Sequence, residues 1–111
     1  MIYELRTYVA NPGRLPALHT RFRDHTVRLW QRHGWRCLGI WTYKHGGASD
    51  RLVYMLEWDS HEQRDEAFRT FTNDPEWMTV REESERDGPL LQRIETSILI
   101  PTDYSPGEGS A

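Results

Sequence analysis

The residue with the clearest capacity for proton chemistry is His25. It falls between Phe22 and Leu29 at helical spacing, on an apolar stripe that should turn toward a neighbouring sheet. A neutral imidazole there can act as a general base near neutral pH, with Tyr54 as the acid or orienting hydroxyl. The structural alternative is a packed histidine, hydrogen-bonded to a carbonyl or to Tyr54. Arg6 and Glu57 form a second pair, expected on one sheet face close to Glu4, Arg93 and Glu95. Ionised groups in an interior need partners, so this set either anchors a carboxylate or enolate or forms a salt-bridged structural network. Tyr3, Trp41, Tyr43, Trp58 and Trp77 offer flat walls for an aromatic or polyketide-like molecule. An aromatic core would use them equally well. Trp30 and Trp35, at the end of the first helix, read as packing.

Other chemistries lack their residues. His19, His25, His33, His45 and His61 include no pair at i, i+4 and no zincin-type carboxylate motif, so no metal site is expected. Neither a phosphate-cradling glycine loop nor a Ser-His-Asp signature is present. The net charge of −3 argues against a nucleic-acid partner. Charge is nonetheless segregated. Arg14, Arg21, Arg23, Arg28, Arg32 and Arg36 stand against Asp24 within residues 10–40, while residues 57–95 are mostly acidic. Two mutually attracting helical layers would explain that split. Mean hydropathy is −0.79 and no run of about 18 apolar residues occurs, so no membrane span is expected. Cys37 is the single cysteine, which excludes a disulfide framework and fits a reducing, cytoplasmic setting. Met1–Arg6 lacks the basic and apolar regions of a signal peptide.

The elements that must position these residues follow from period and punctuation. Residues 2–9 are rich in β-formers and stop at Asn11-Pro12-Gly13. From Arg14 to about His33 the period is helical, with Pro16 in the first turn and Gly34 at the C-terminal cap. Residues 35–43 read as a strand with Cys37, Gly39, Trp41 and Tyr43 on one face and Leu38, Ile40 and Thr42 on the other, and the loop His45–Asp50 joins it to a strand at about 52–58. Ser60 and Gln63 make a capping-box pattern ahead of Ala67, Phe68 and Phe71. Asn73-Asp74-Pro75 breaks that helix, and Pro75 starts another that runs to about Arg86. Residues 91–100 form the last strand.

The order β-α-β-β-α-β predicts an α+β, ferredoxin-like protomer with helices on a single sheet face. The expected helix-facing set is Tyr3/Leu5/Thr7, Tyr54/Leu56/Trp58 and Ile94/Thr96/Ile98. The other face would mix Glu4, Arg6, Tyr8, Glu57, Arg93 and Glu95 with Val53, Met55 and Trp41. A face that mixed can meet water or its own copy across a two-fold axis, and the aromatic content of the chain favours the second.

Six fragments, in order, carry a resemblance. They are Met1–Tyr8 with Pro12-Gly13, His33-Gly34, Gly39-Ile40-Trp41, Glu57-Trp58-Asp59-Ser60, Asp74-Pro75-Glu76-Trp77 and Ile98–Thr102. Together they resemble the NIPSNAP family over roughly residues 1–106. The resemblance implies a dimeric α/β barrel in which two ferredoxin-like sheets face each other. Its wider superfamily includes cofactor-free monooxygenases, lactone isomerases, cyclases and haem enzymes, so the fold alone selects no reaction. The expectation is one domain over residues 1–100 with a partly flexible tail at 101–111. The expected function is a small homodimeric, cofactor-independent enzyme acting on an apolar or aromatic metabolite. The alternative is a non-catalytic binding or scaffold protein that uses the barrel to dimerise.

Overall fold

Strand β1 (Ile2–Ala10) alternates between buried and partly exposed residues from Ile2 to Thr7, and its inward set is Ile2, Glu4, Arg6 and Tyr8. The computed structural model describes residues 1–107. β1 pairs antiparallel with β3 (Arg51–Trp58) on one side and β4 (Leu91–Leu99) on the other, while β2 (Arg36–Thr42) extends the sheet beyond β3. The order β2-β3-β1-β4 with helical crossovers is the ferredoxin-like arrangement.

The helical layer covers one face. Its first rod is α1 (Leu15–Arg21), a π-helical turn at Phe22–Thr26, and α2 (Val27–Arg32) in unbroken succession. Gly34 then takes φ 77°, a left-handed cap that a side chain would strain. Helices α3 (His61–Thr72) and α4 (Pro75–Ser84) follow β3. Ser60 Oγ accepts from the Gln63 N–H at 3.0 Å and caps α3, and Asp74 accepts from the Glu76 N–H at 2.8 Å and caps α4. Arg28 and Arg32 reach Glu76 at 2.8 and 2.6 Å, and Arg32 also pairs with Asp74. The basic first rod and acidic α4 thus attract one another as the charge split predicts.

Three expectations about side-chain direction are corrected here. In β1, Glu4 and Arg6 lie opposite Leu56 and Tyr54, facing the helices, and Tyr3, Leu5 and Thr7 face the open side. Mutual ion pairing makes the charged set buriable, so apolarity misjudges the strand's parity. In β2, a bulge between Cys37 and Gly39 inserts one residue. Cys37 therefore shares the helix side with Ile40 and Thr42, and parts company with Gly39 and Trp41. In the first rod, the π turn carries one residue more than an α turn and rotates everything after it. Thr26 is buried where His25 was expected, and its Oγ1 bonds back to the Arg21 carbonyl at 3.3 Å, five residues earlier.

The core is built from Leu18, Phe22, Leu29, Trp30, Trp35, Leu52, Tyr54, Leu56, Trp58, Phe71 and Leu90. β4 is an exposed edge whose Ile94 and Ile98 are only partly covered. The expected tail begins on the open face, where Pro101 and Ser105–Gly107 border a groove with Tyr3, Leu38 and Met55. Residues 108–111 lie outside the described residues. Among the described residues, no helix is long and apolar enough to cross a membrane, and no cluster of His, Cys, Asp or Glu could hold a metal ion.

Candidate functional site in the sheet–helix cavity

Between the sheet and the helical layer lies a cavity of about 610 Å³. Its floor is Arg6, Tyr8 and Tyr54 from β1 and β3. Its roof is Arg21, Phe22, Thr26 and Trp30 from the first rod, with Phe68, Phe71, Thr72, Trp77, Arg81 and Glu85 from the α3–α4 segment. Trp30 stacks on Trp35 at 5.4 Å and 15°, Trp35 meets Phe71 at 5.0 Å, and Phe71 meets Trp77 at 4.9 Å. The walls are continuous aromatic surface, suited to a flat ligand.

A hydrogen-bonded relay crosses the floor. Glu4, with no solvent exposure, accepts from Arg6 Nη1 at 2.9 Å, Trp58 Nε1 at 3.0 Å, Thr96 Oγ1 at 2.7 Å, and Arg64 Nε and Nη2 at 2.9 and 2.8 Å. Burial works against this carboxylate, but the donors outweigh it, led by Arg64 and then Thr96 and Arg6. Its pKa is lowered to about 2. Arg6 Nε donates to the Tyr54 hydroxyl at 2.7 Å. A guanidinium can only donate, so the Tyr54 O–H turns onward to the Tyr8 oxygen at 2.8 Å. The Tyr8 O–H is then left to donate toward the cavity it lines. Burial, then the neighbouring Tyr8, pushes the Tyr54 hydroxyl well above its ordinary pKa, so it stays protonated. The arrangement delivers a polarised phenolic donor, backed by a cation, to an oxygen that gains negative charge.

The structure gathers only some of the sequence-predicted residues. Arg6, Tyr54 and Trp77 line the cavity. Trp58 is buried beside it, held by Glu4 and edge-on to Trp35 at 5.0 Å, and belongs to the core. His25 is half-buried outside that cavity, in a groove between the first rod and α4 with Ala17, Thr20, Val80 and Glu83. Glu57 lies on the open sheet face, paired with Arg36 at 3.5 Å, so it cannot act with Arg6. Tyr3 and Trp41 share that open face, and Trp41, 51% exposed, lies over Gly39, where a Cβ would overlap its ring. Tyr43 packs on Gly47 in the β2–β3 loop.

The residues that sequence reasoning missed are Tyr8, Arg21, Trp30, Trp35, Arg81 and Glu85. Glu4 and Arg6, opposite charges two apart in a strand, were the available signal for a polar inward face that includes Tyr8. Nothing in the sequence marks the π turn that brings Thr26 and Trp30 inward.

The NIPSNAP family model matches residues 3–106. The chain belongs to the NIPSNAP family. An uncharacterized NIPSNAP domain protein from Burkholderia xenovorans has a TM-score of 0.82 at 22% identity, covering 96% of this chain and 100% of that one. A NIPSNAP family protein of unknown function from Agrobacterium tumefaciens is 26% identical at a TM-score of 0.82, covering 96% and 92%. A putative antibiotic biosynthesis monooxygenase from Nitrosomonas europaea is more distant, with a TM-score of 0.61 and 10% identity over 89% of this chain and 96% of that one. Among curated proteins, none matches the sequence.

Proposed function

We propose that this NIPSNAP-family chain is a cofactor-independent enzyme that binds a flat, largely apolar metabolite in the sheet–helix cavity. The reaction is proton chemistry through an enolate or phenolate, of the monooxygenase, cyclase or isomerase type. The carrying observation is the Arg6–Tyr54–Tyr8 relay ending in an aromatic-walled cavity of about 610 Å³. Tyr8 would hold the developing oxyanion, Tyr54 and Arg6 would polarise Tyr8, and Trp30, Trp35 and Trp77 would fix the ring plane. His25 and Glu57 have no part in this reading, because neither lines the cavity. Glu85 is the acidic residue of the lining and the candidate base.

One observation favours a second reading, a non-catalytic binding protein: no imidazole or thiol lines the cavity among the described residues. Both readings include a homodimer. Its support is the open sheet face, where Leu38, Trp41 and Leu99 stand exposed beside Leu5 and Met55. A reducing, cytoplasmic setting belongs to the proposal and is supported by the single thiol of Cys37.

The experiment follows hydrogen–deuterium exchange at the acidic C–H of 2-tetralone in D₂O by NMR. The enzyme reading predicts exchange faster than in buffer, and a loss of roughly 10²-fold or more in Tyr8→Phe. Saturable binding without faster exchange supports the binding-protein reading. Neither binding nor exchange overturns both.

A further inference from the structure

The charges lining the cavity do not cancel. Arg6 and Arg64 are met by Glu4 and Asp65 at 2.8 to 3.0 Å, and Arg93 is met by Glu95 at 2.8 Å. Arg21 and Arg81 share Glu85, at 3.7 and 3.8 Å, too long for good hydrogen bonds. Arg21 is the buried member, 5% exposed. Its Nε has no hydrogen-bond partner among the described residues, and neither have the buried Nε1 atoms of Trp30 and Trp35. All three side chains line the same cavity. Folded proteins leave few buried donors unpaired, and a buried guanidinium short of close acceptors beside a void marks a place for an arriving anion. Burial chiefly, with Arg81 adding to it, disfavours the charge on Arg21. Its Nη1 donates to Ser84 Oγ at 3.3 Å, and the Trp77 ring lies 5.3 Å from its guanidinium.

Resting on the cavity as the ligand site, we infer that its ligand is an aromatic carboxylic acid whose carboxylate seats against Arg21. An anion there restores charge balance across Arg21, Arg81 and Glu85. Its oxygens supply the close acceptors that Ser84 and Glu85, at 3.3 and 3.7 Å, do not give Arg21, and a guanidinium fork suits a carboxylate's two oxygens. The flat body then lies along Trp30, Trp35 and Trp77, with its far end toward Tyr8.

Isothermal titration with 2-naphthoate and its neutral isostere 2-naphthamide tests this. Wild-type protein should bind the acid on the order of tenfold more tightly than the amide, with the gap narrowing as salt rises. Arg21→Gln should bring the two affinities together. Arg81→Gln, a change at a side chain 65% exposed that folding should tolerate, should narrow the gap and keeps the test open should Arg21→Gln misfold. Equal affinities for acid and amide in the wild type overturn the carboxylate while leaving the cavity as the ligand site. Binding of neither probe to the folded protein overturns both.

Discussion

Glu4 ties the interior together, because its hydrogen bonds come from β1, β3, β4 and α3 at once. Glu4→Gln would leave Arg6 and Arg64 short of a counter-charge, and urea denaturation should show a loss of about 3 kcal/mol. The same carboxylate sets an acid limit. Its folded pKa is about 2 against a usual 4.5, so the unfolded chain takes up this proton first as pH falls. The stability Glu4 contributes is whole above about pH 4.5, declines below it and is gone below about pH 2. A urea midpoint followed from pH 6 to pH 3 should fall, and by less in Glu4→Gln. Tyr8 is different in kind, since among the described residues its hydroxyl meets only Tyr54 and the Arg6 guanidinium, both on the cavity floor. Tyr8→Phe should fold at a cost of about 1–3 kcal/mol, because the buried Tyr54 O–H loses its acceptor, and should bind 2-naphthoate nearly as tightly as wild type, because the carboxylate seats at Arg21. His25→Ala should leave 2-naphthoate binding unchanged and cost no more than about 1 kcal/mol in stability, because the side chain is half-buried and outside the cavity. A clear loss of binding in that variant would return His25 to the site.

At the scale of elements, the cavity depends on the π turn at Phe22–Thr26. Its extra residue rotates α2 by roughly 100° relative to an unbroken α-helix and brings Thr26 and Trp30 inward. Deleting Asp24 should restore α-helical phase, swing Trp30 away from Trp35 and abolish probe binding, with near-UV circular dichroism reporting the lost aromatic packing. The same turn explains why the order of elements was legible in the sequence and the site was not. Turn signals at Asn11-Pro12-Gly13 and Asn73-Asp74-Pro75, the Ser60 cap and the Gly34 cap are local, and they delimit the elements correctly. Which way a side chain points depends on register, and one extra residue inverts it. The π turn did so for His25, and the β2 bulge did so for Cys37. β1 failed otherwise: its buried face is the charged one, and only the pairing of Glu4 with Arg6 and Arg64 makes that burial tolerable.

For the whole molecule, the two sheet faces divide the labour. The helix side encloses the cavity, and the open side carries the exposed Leu38 and Trp41, the face the proposed homodimer would use. Sedimentation at micromolar concentration should give about twice 13.2 kDa, and a clean monomer would contradict the paired-sheet arrangement. Which face holds the ligand is reported directly by the tryptophans. They stand on both sides: Trp30 and Trp35 line the cavity, Trp58 donates to Glu4, and Trp41 lies on the open face. In a ¹H–¹⁵N spectrum of the indole N–H groups, titration with 2-naphthoate should move the Trp30 and Trp35 peaks furthest and leave Trp41 in place. Movement of Trp41 with Trp30 and Trp35 unchanged would contradict the account.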